Sequence, residues 1–330
     1  MTANGYRAAA LACTLAGIAM AALSGGREPA ASGRAATTAE DERHAARLRL
    51  HAPANAGCTG QPAHVAAARG CNHSASLLAL SVLTDSAMEH YRGSFENPAM
   101  FAPLASSALT LLASLHGGAD GNARRHRLRH AVYVAAGATG VAGAAFHLYN
   151  VGKRPGGFRW ENLFHAAPIG APGALFAAGA LGVFGERLRD AQAAAPRMAG
   201  MPAGRALALL AGIGLFGTVM EAGLLHFRGA FQHRAMYVPV TVPPVAAALL
   251  VHAAVARPDE RPWTRLWLRL TTALGFVGAA FHARGIARRQ GGWRNWSQNL
   301  FAGPPLPAPP GFSALAMAGL AALRLRRRER

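Results

Sequence analysis

Apolar residues run along this chain in blocks of about 17 to 22, the length an α-helix needs to cross the hydrocarbon core of a bilayer. Polar residues collect between the blocks. The alternation predicts eight spans, at 74–91, 99–116, 130–149, 169–185, 205–227, 236–256, 266–283 and 311–323. Ala, Gly and Leu dominate them, as expected where helices approach closely in lipid. Pro309, Pro310 and Gly311 open the last block, which reads as a tilted or partial span. Ahead of the eight, residues 8–25 form an apolar stretch behind Arg7, and the first 25 residues read as a signal-like or additional transmembrane segment. Residues 26–73 have no sustained apolar periodicity and read as a flexible, low-complexity linker.

Two parts of the chain match each other. Asp85, His90, Tyr91, Arg92, Gly93, Phe95, Met100 and Pro103 recur at a constant offset of 136 as Glu221, His226, Phe227, Arg228, Gly229, Phe231, Met236 and Pro239. Further on, the pattern G-x-x-G-A-A-F-H occurs twice, from Gly140 through Gly143 to His147 and from Gly275 through Gly278 to His282. The loops at 150–168 and 284–305 repeat paired glycines and Asn-Leu-Phe, and Pro172 and Pro309 follow in turn. The expected architecture is therefore an all-α integral membrane bundle made of two tandem four-helix repeats, 74–204 and 205–330. An even number of spans per repeat makes the repeats parallel, related by an axis along the membrane normal. His90, His147, His226 and His282 then all close odd-numbered spans and share one face of the membrane. Arg124, Arg125, Arg127, Arg187, Arg189, Arg257, Arg261 and the arginine-rich tail fall on the other face. The positive-inside rule places that face in the cytoplasm, which turns the histidines of a bacterial inner-membrane protein toward the periplasm.

Composition agrees with the pattern: 52% of residues are hydrophobic and 15% charged, which excludes an ordinary soluble core. The formal charge of +19 belongs to short arginine runs between apolar blocks, so lipid rather than nucleic acid is the expected partner. Cys13, Cys58 and Cys71 all precede the repeats, which leaves His, Asp, Glu and Met as the chemical groups of the membrane body.

Imidazoles at a membrane boundary ligate haem or metal, or relay protons. Pairing His90 with His147 and His226 with His282 puts one histidine from each of two helices around a b-type haem or a copper-like ion. Gly143 and Gly278, one turn before His147 and His282, would leave room for a flat macrocycle or serve close helix packing. Met100 and Met236 are candidate soft ligands, although a methionine at a span boundary more often packs. Asp85 and Glu221 are costly inside apolar spans unless protonated, paired or solvated, and Arg92 and Arg228, or an imidazole on another helix, are their expected partners. Carboxylates are too few for a dinuclear iron centre. These residues suggest an electron-transfer or metal-binding subunit with a soluble or membrane redox partner, rather than a stand-alone enzyme. A proton-coupled transporter and a non-catalytic membrane scaffold are the competing readings.

Overall fold

The computed structural model describes residues 63–165, 169–190, 196–257 and 261–329. The N-terminal apolar segment and most of the expected linker lie outside these residues. The fold is almost entirely helical, and a helix occupies each of the eight expected blocks: α1 (Ala63–Arg92), α2 (Ala102–Ala119), α3 (Arg127–Gly152), α5 (Gly170–Arg189), α6 (Ala203–Arg228), α7 (Val238–Val255), α8 (Pro262–Ala287) and α10 (Pro310–Arg326). Two short helices, α4 (Trp160–His165) and α9 (Trp296–Ala302), sit in the loops before α5 and α10. A two-residue hairpin, Arg197–Met198 with Met201–Pro202, joins α5 to α6.

Four stretches, Pro98–Ala119, Arg127–Gly152, Ala203–Arg228 and Arg234–Val255, are long and apolar enough to cross a membrane, which fits an integral membrane protein. Side-chain size is sorted accordingly. The buried core is built largely from alanines of α1, α5, α6, α7 and α10, while Leu112, Met220 and Trp263 are at least 65% exposed. In water such an outer surface would be an unexplained apolar patch; against acyl chains it is the solvated face.

The expected linker ends too late. α1 begins at Ala63, and Val65, Ala67, Ala68, Cys71, Asn72 and Ser74 are buried along it. These residues lack strong hydropathy because they meet protein rather than lipid: α1 packs against α2, α5 and α10.

Within each part of the chain the helix neighbours correspond. α5 packs on α1 and α3, and α10 packs on α6 and α8. Across the parts the contacts cross over, with α1 against α10 and α5 against α6. Glycine permits the closest of these approaches. A Cβ on Gly140 would lie 2.5 Å from the backbone nitrogen of Phe176, and one on Gly275 would lie 2.6 Å from the carbonyl oxygen of Pro309.

At the ends of α5 and α10 two arginines perform the same task. The buried Arg189 donates to the carbonyls of Gly117 (2.5 Å), Asp120 (2.9 Å) and Asn122 (2.7 Å) at the end of α2. Arg326 donates to Ala253 (3.2 Å) and Ala256 (2.5 Å) at the end of α7. A cation placed there satisfies carbonyls left without intrahelical partners and opposes the negative end of the helix dipole. Around Arg189 only, Arg129 bridges Glu186 at 2.8 Å and Asp120 at 2.8 Å. Burial raises the Asp120 carboxyl, but the Asn122 N–H and the charge and hydrogen bond of Arg129 outweigh it, so the group rests below the ordinary value of 3.8.

Candidate functional site

His90 and His226 occupy the last turns of α1 and α6, where the chain must reverse into α2 and α7. It does so through two consecutive non-glycine residues in the left-handed region, Ser94 (φ 54°) and Phe95 (φ 47°), matched by Ala230 (φ 54°) and Phe231 (φ 46°). Left-handed backbone at a bulky residue is unfavourable and persists only where its surroundings hold it. Here the Phe95 N–H donates to the His90 carbonyl at 3.1 Å, and the Phe95 ring stacks on Phe101 with centroids 4.4 Å apart. Phe231 repeats both contacts, with the His226 carbonyl at 3.0 Å and the Tyr237 ring at 4.6 Å.

The reversal returns a carbonyl to each imidazole. His90 Nδ1 lies 2.7 Å from the Met100 oxygen, and His226 Nδ1 lies 2.8 Å from the Met236 oxygen. On α8, His282 Nδ1 lies 2.7 Å from the Pro305 oxygen. A carbonyl oxygen has no proton to give, so Nδ1 carries the hydrogen in all three. In the neutral ring the Nε2 lone pair is then left as an acceptor, the state in which histidine binds metal or takes up a proton. His147, the counterpart of His282 on α3, also has an interaction partner.

The candidate glycines and methionines are engaged in packing. The space beside Gly143 and Gly278 is taken by prolines: a Cβ there would meet the Pro172 Cβ at 3.4 Å and the Pro309 Cβ at 2.9 Å. These glycines lie in close helix contact, the packing role that was one of the two expected of them. Met100 and Met236 turn their terminal methyl groups onto Gly93 and Gly229, at 3.2 and 3.0 Å from a Cβ built there. Their carbonyls meet the histidines.

Arg92 pairs with Glu89 at 2.9 Å, and Arg228 lies over the Phe164 ring at 5.6 Å, so neither takes the expected acidic partner. Both arginines sit about two turns beyond the acids on their helices, nearer the boundary. The Glu221 carboxylate instead occupies the space a side chain at Gly170 would fill, at the start of α5. It also lies within electrostatic reach of Asp85 on α1. Among the described residues, no three His, Cys, Asp or Glu side chains gather as a metal site.

Aromatic contacts link the histidine-bearing ends crosswise. Tyr91 stacks on Phe301 of α9 with centroids 5.1 Å apart, and Phe227 meets Phe164 of α4 at 6.0 Å. Comparison with protein-family models, with curated proteins and with solved structures finds no match to this chain.

Proposed function

We propose that the chain is a membrane redox or metal-binding subunit whose histidines present Nε2 to a b-type haem iron or a copper-like ion. The observation that carries this reading is the fixed orientation of His90, His226 and His282, each donating Nδ1–H to a backbone carbonyl. Metal-bound imidazoles usually gain their orientation and basicity from such a bond. Strain at matched non-glycine positions next to two of them marks the turns as purposeful. In this reading all eight long helices cross the bilayer as two parallel four-helix repeats of common origin. The matched turns, arginine caps and crossed aromatic pairs support that arrangement. The histidine face then points to the periplasm of a bacterial inner membrane and passes electrons or metal to a partner there. Absorption spectroscopy and metal analysis of the purified chain test the proposal. A Soret band or about one equivalent of metal, lost in His226→Gln and His282→Gln variants of unchanged elution volume, is expected. A colourless, metal-free preparation from metal- and haem-supplemented cells refutes it.

A second reading, proton-coupled transport, draws on a different observation: Asp85 and Glu221 come from the two central helices α1 and α6 into each other's field, beside the start of α5. Carboxylates so placed within apolar helices suit proton binding. Uptake by vesicles that rises with a proton gradient and vanishes in Asp85→Asn and Glu221→Gln, with the histidine variants still active, favours it over the first.

A further inference from the structure

The end of the molecule opposite the histidine turns holds a cleft of about 800 Å³. Arg124, Arg125, Arg127 and Arg189 line it, together with Asp190. Over 120–130 and 186–190 the chain carries six arginines against three carboxylates. Those carboxylates are committed: Asp120 and Glu186 to Arg129, and Asp190 to Arg125 at 3.6 Å. Arg189 is turned inward onto its three carbonyls, so the outward cations are Arg124 and Arg127, both exposed and without an acidic partner among the described residues. Apolar surface adjoins them. Leu128, 69% exposed, follows Arg127 directly, and Leu109, Leu112 and Leu115 form an exposed stripe along α2 toward the Arg124 loop.

We infer that this cleft is a binding site for an anionic phospholipid, its headgroup phosphate between Arg124 and Arg127 and its acyl chains along the leucines. Guanidinium forks match phosphate oxygens in pairs, and basic pockets at helix ends beside a bilayer select negatively charged headgroups. The adjoining leucines distinguish a lipid from a free anion, because a soluble phosphate has no use for an apolar stripe.

The test is lipid retention by the full-length protein in detergent micelles doped with phosphatidylglycerol or with phosphatidylcholine of the same chains. Wild type is expected to retain phosphatidylglycerol in preference to phosphatidylcholine. Arg124→Ala/Arg127→Ala is expected to lose that preference by on the order of tenfold. Arg288→Ala/Arg289→Ala, which removes equal charge from the loop after α8, is expected to leave it intact. Equal retention of the two lipids by wild type overturns the inference, and so does an equal loss in both double variants. Displacement of phosphatidylglycerol by millimolar inorganic phosphate would make the cleft a soluble-anion site and overturn the lipid assignment.

Discussion

Gly140 and Gly143 lie one turn apart on α3, both against α5, and the structure assigns them unequal tolerance to an added methyl group. At Gly140 the new Cβ would stand 2.5 Å from the Phe176 nitrogen and 2.7 Å from the Pro172 oxygen, both backbone atoms. Ordinary contact begins near 3.4 Å, so α3 and α5 must part by 0.9 Å at that point. Overpacking of this kind costs about 1–3 kcal/mol, against a helix-propensity gain of about 0.5–1 kcal/mol for replacing glycine with alanine. Gly140→Ala is therefore expected to lose roughly 1–2 kcal/mol net. At Gly143 the nearest atom is the Pro172 Cβ at 3.4 Å, already an ordinary contact, and Gly143→Ala is expected to be neutral or slightly stabilising. Reversible unfolding of both variants in mixed detergent–dodecyl sulfate micelles, followed by tryptophan fluorescence, separates the two outcomes. A loss at Gly143 equal to that at Gly140, or no loss at Gly140, would refute the placement of α5 against α3. Reduced haem or metal content in a fully stable Gly143→Ala protein would restore the macrocycle reading that Pro172 argues against.

Further predictions concern the polar ends and the turns. Arg189→Met removes a buried cation from three carbonyls and leaves Asp120 and Glu186 with Arg129 alone, so a loss of about 3–5 kcal/mol is expected. Arg326→Met opens two carbonyls and breaks the 2.5 Å ion pair with Glu329, one carboxylate against the two around Arg189, and should lose less, about 1–3 kcal/mol in the same unfolding assay. The folded-state value of Asp120 lies below 3.8, so its stabilising contribution is complete above that pH and is lost as pH falls through the lower value. Wild type should accordingly lose stability more steeply than Asp120→Asn on acidification below about pH 4, measured by unfolding midpoint against pH. Ala230→Gly removes a left-handed alanine whose side chain is exposed, and should stabilise by up to about 1 kcal/mol. A destabilised Ala230→Gly would show that the turn is not strained.

The helices were legible because block length and apolar content are set by the medium around them, and each of the eight blocks became a helix. α1 was read too short because its first turns, from Val65 to Ser74, face α5 and α10, where small and weakly polar residues suffice. His90 and His226 were legible through the match at an offset of 136, and His147 and His282 through the twofold G-x-x-G-A-A-F-H pattern. Continued toward the C-terminus at the Pro172/Pro309 offset of 137, the match sets Arg189 against Arg326, whose shared capping role that end point missed. What the histidines touch was not legible. A carbonyl ten residues away reaches Nδ1 only because Ser94–Phe95 and Ala230–Phe231 adopt left-handed backbone, for which these residue types carry no signal. The facing of Gly143 was equally hidden, since helical period tells which residues share a side but not which neighbour that side meets.

The crossed packing of α1 on α10 has a consequence for biosynthesis. The first of these helices to leave the ribosome shares a long buried contact with the last, more than 200 residues later in the chain. α1 also carries buried Asn72 and Ser74 and is not among the four stretches apolar enough to cross unaided. Asn72 is met early, by the Tyr133 hydroxyl of α3 and beside Gly117 of α2 and Gly185 of α5, but the face of α1 that packs on α10 waits until the last of these helices is made. Truncation before Pro310 would then leave that face of α1 without its partner while its contacts with α2 and α5 remain.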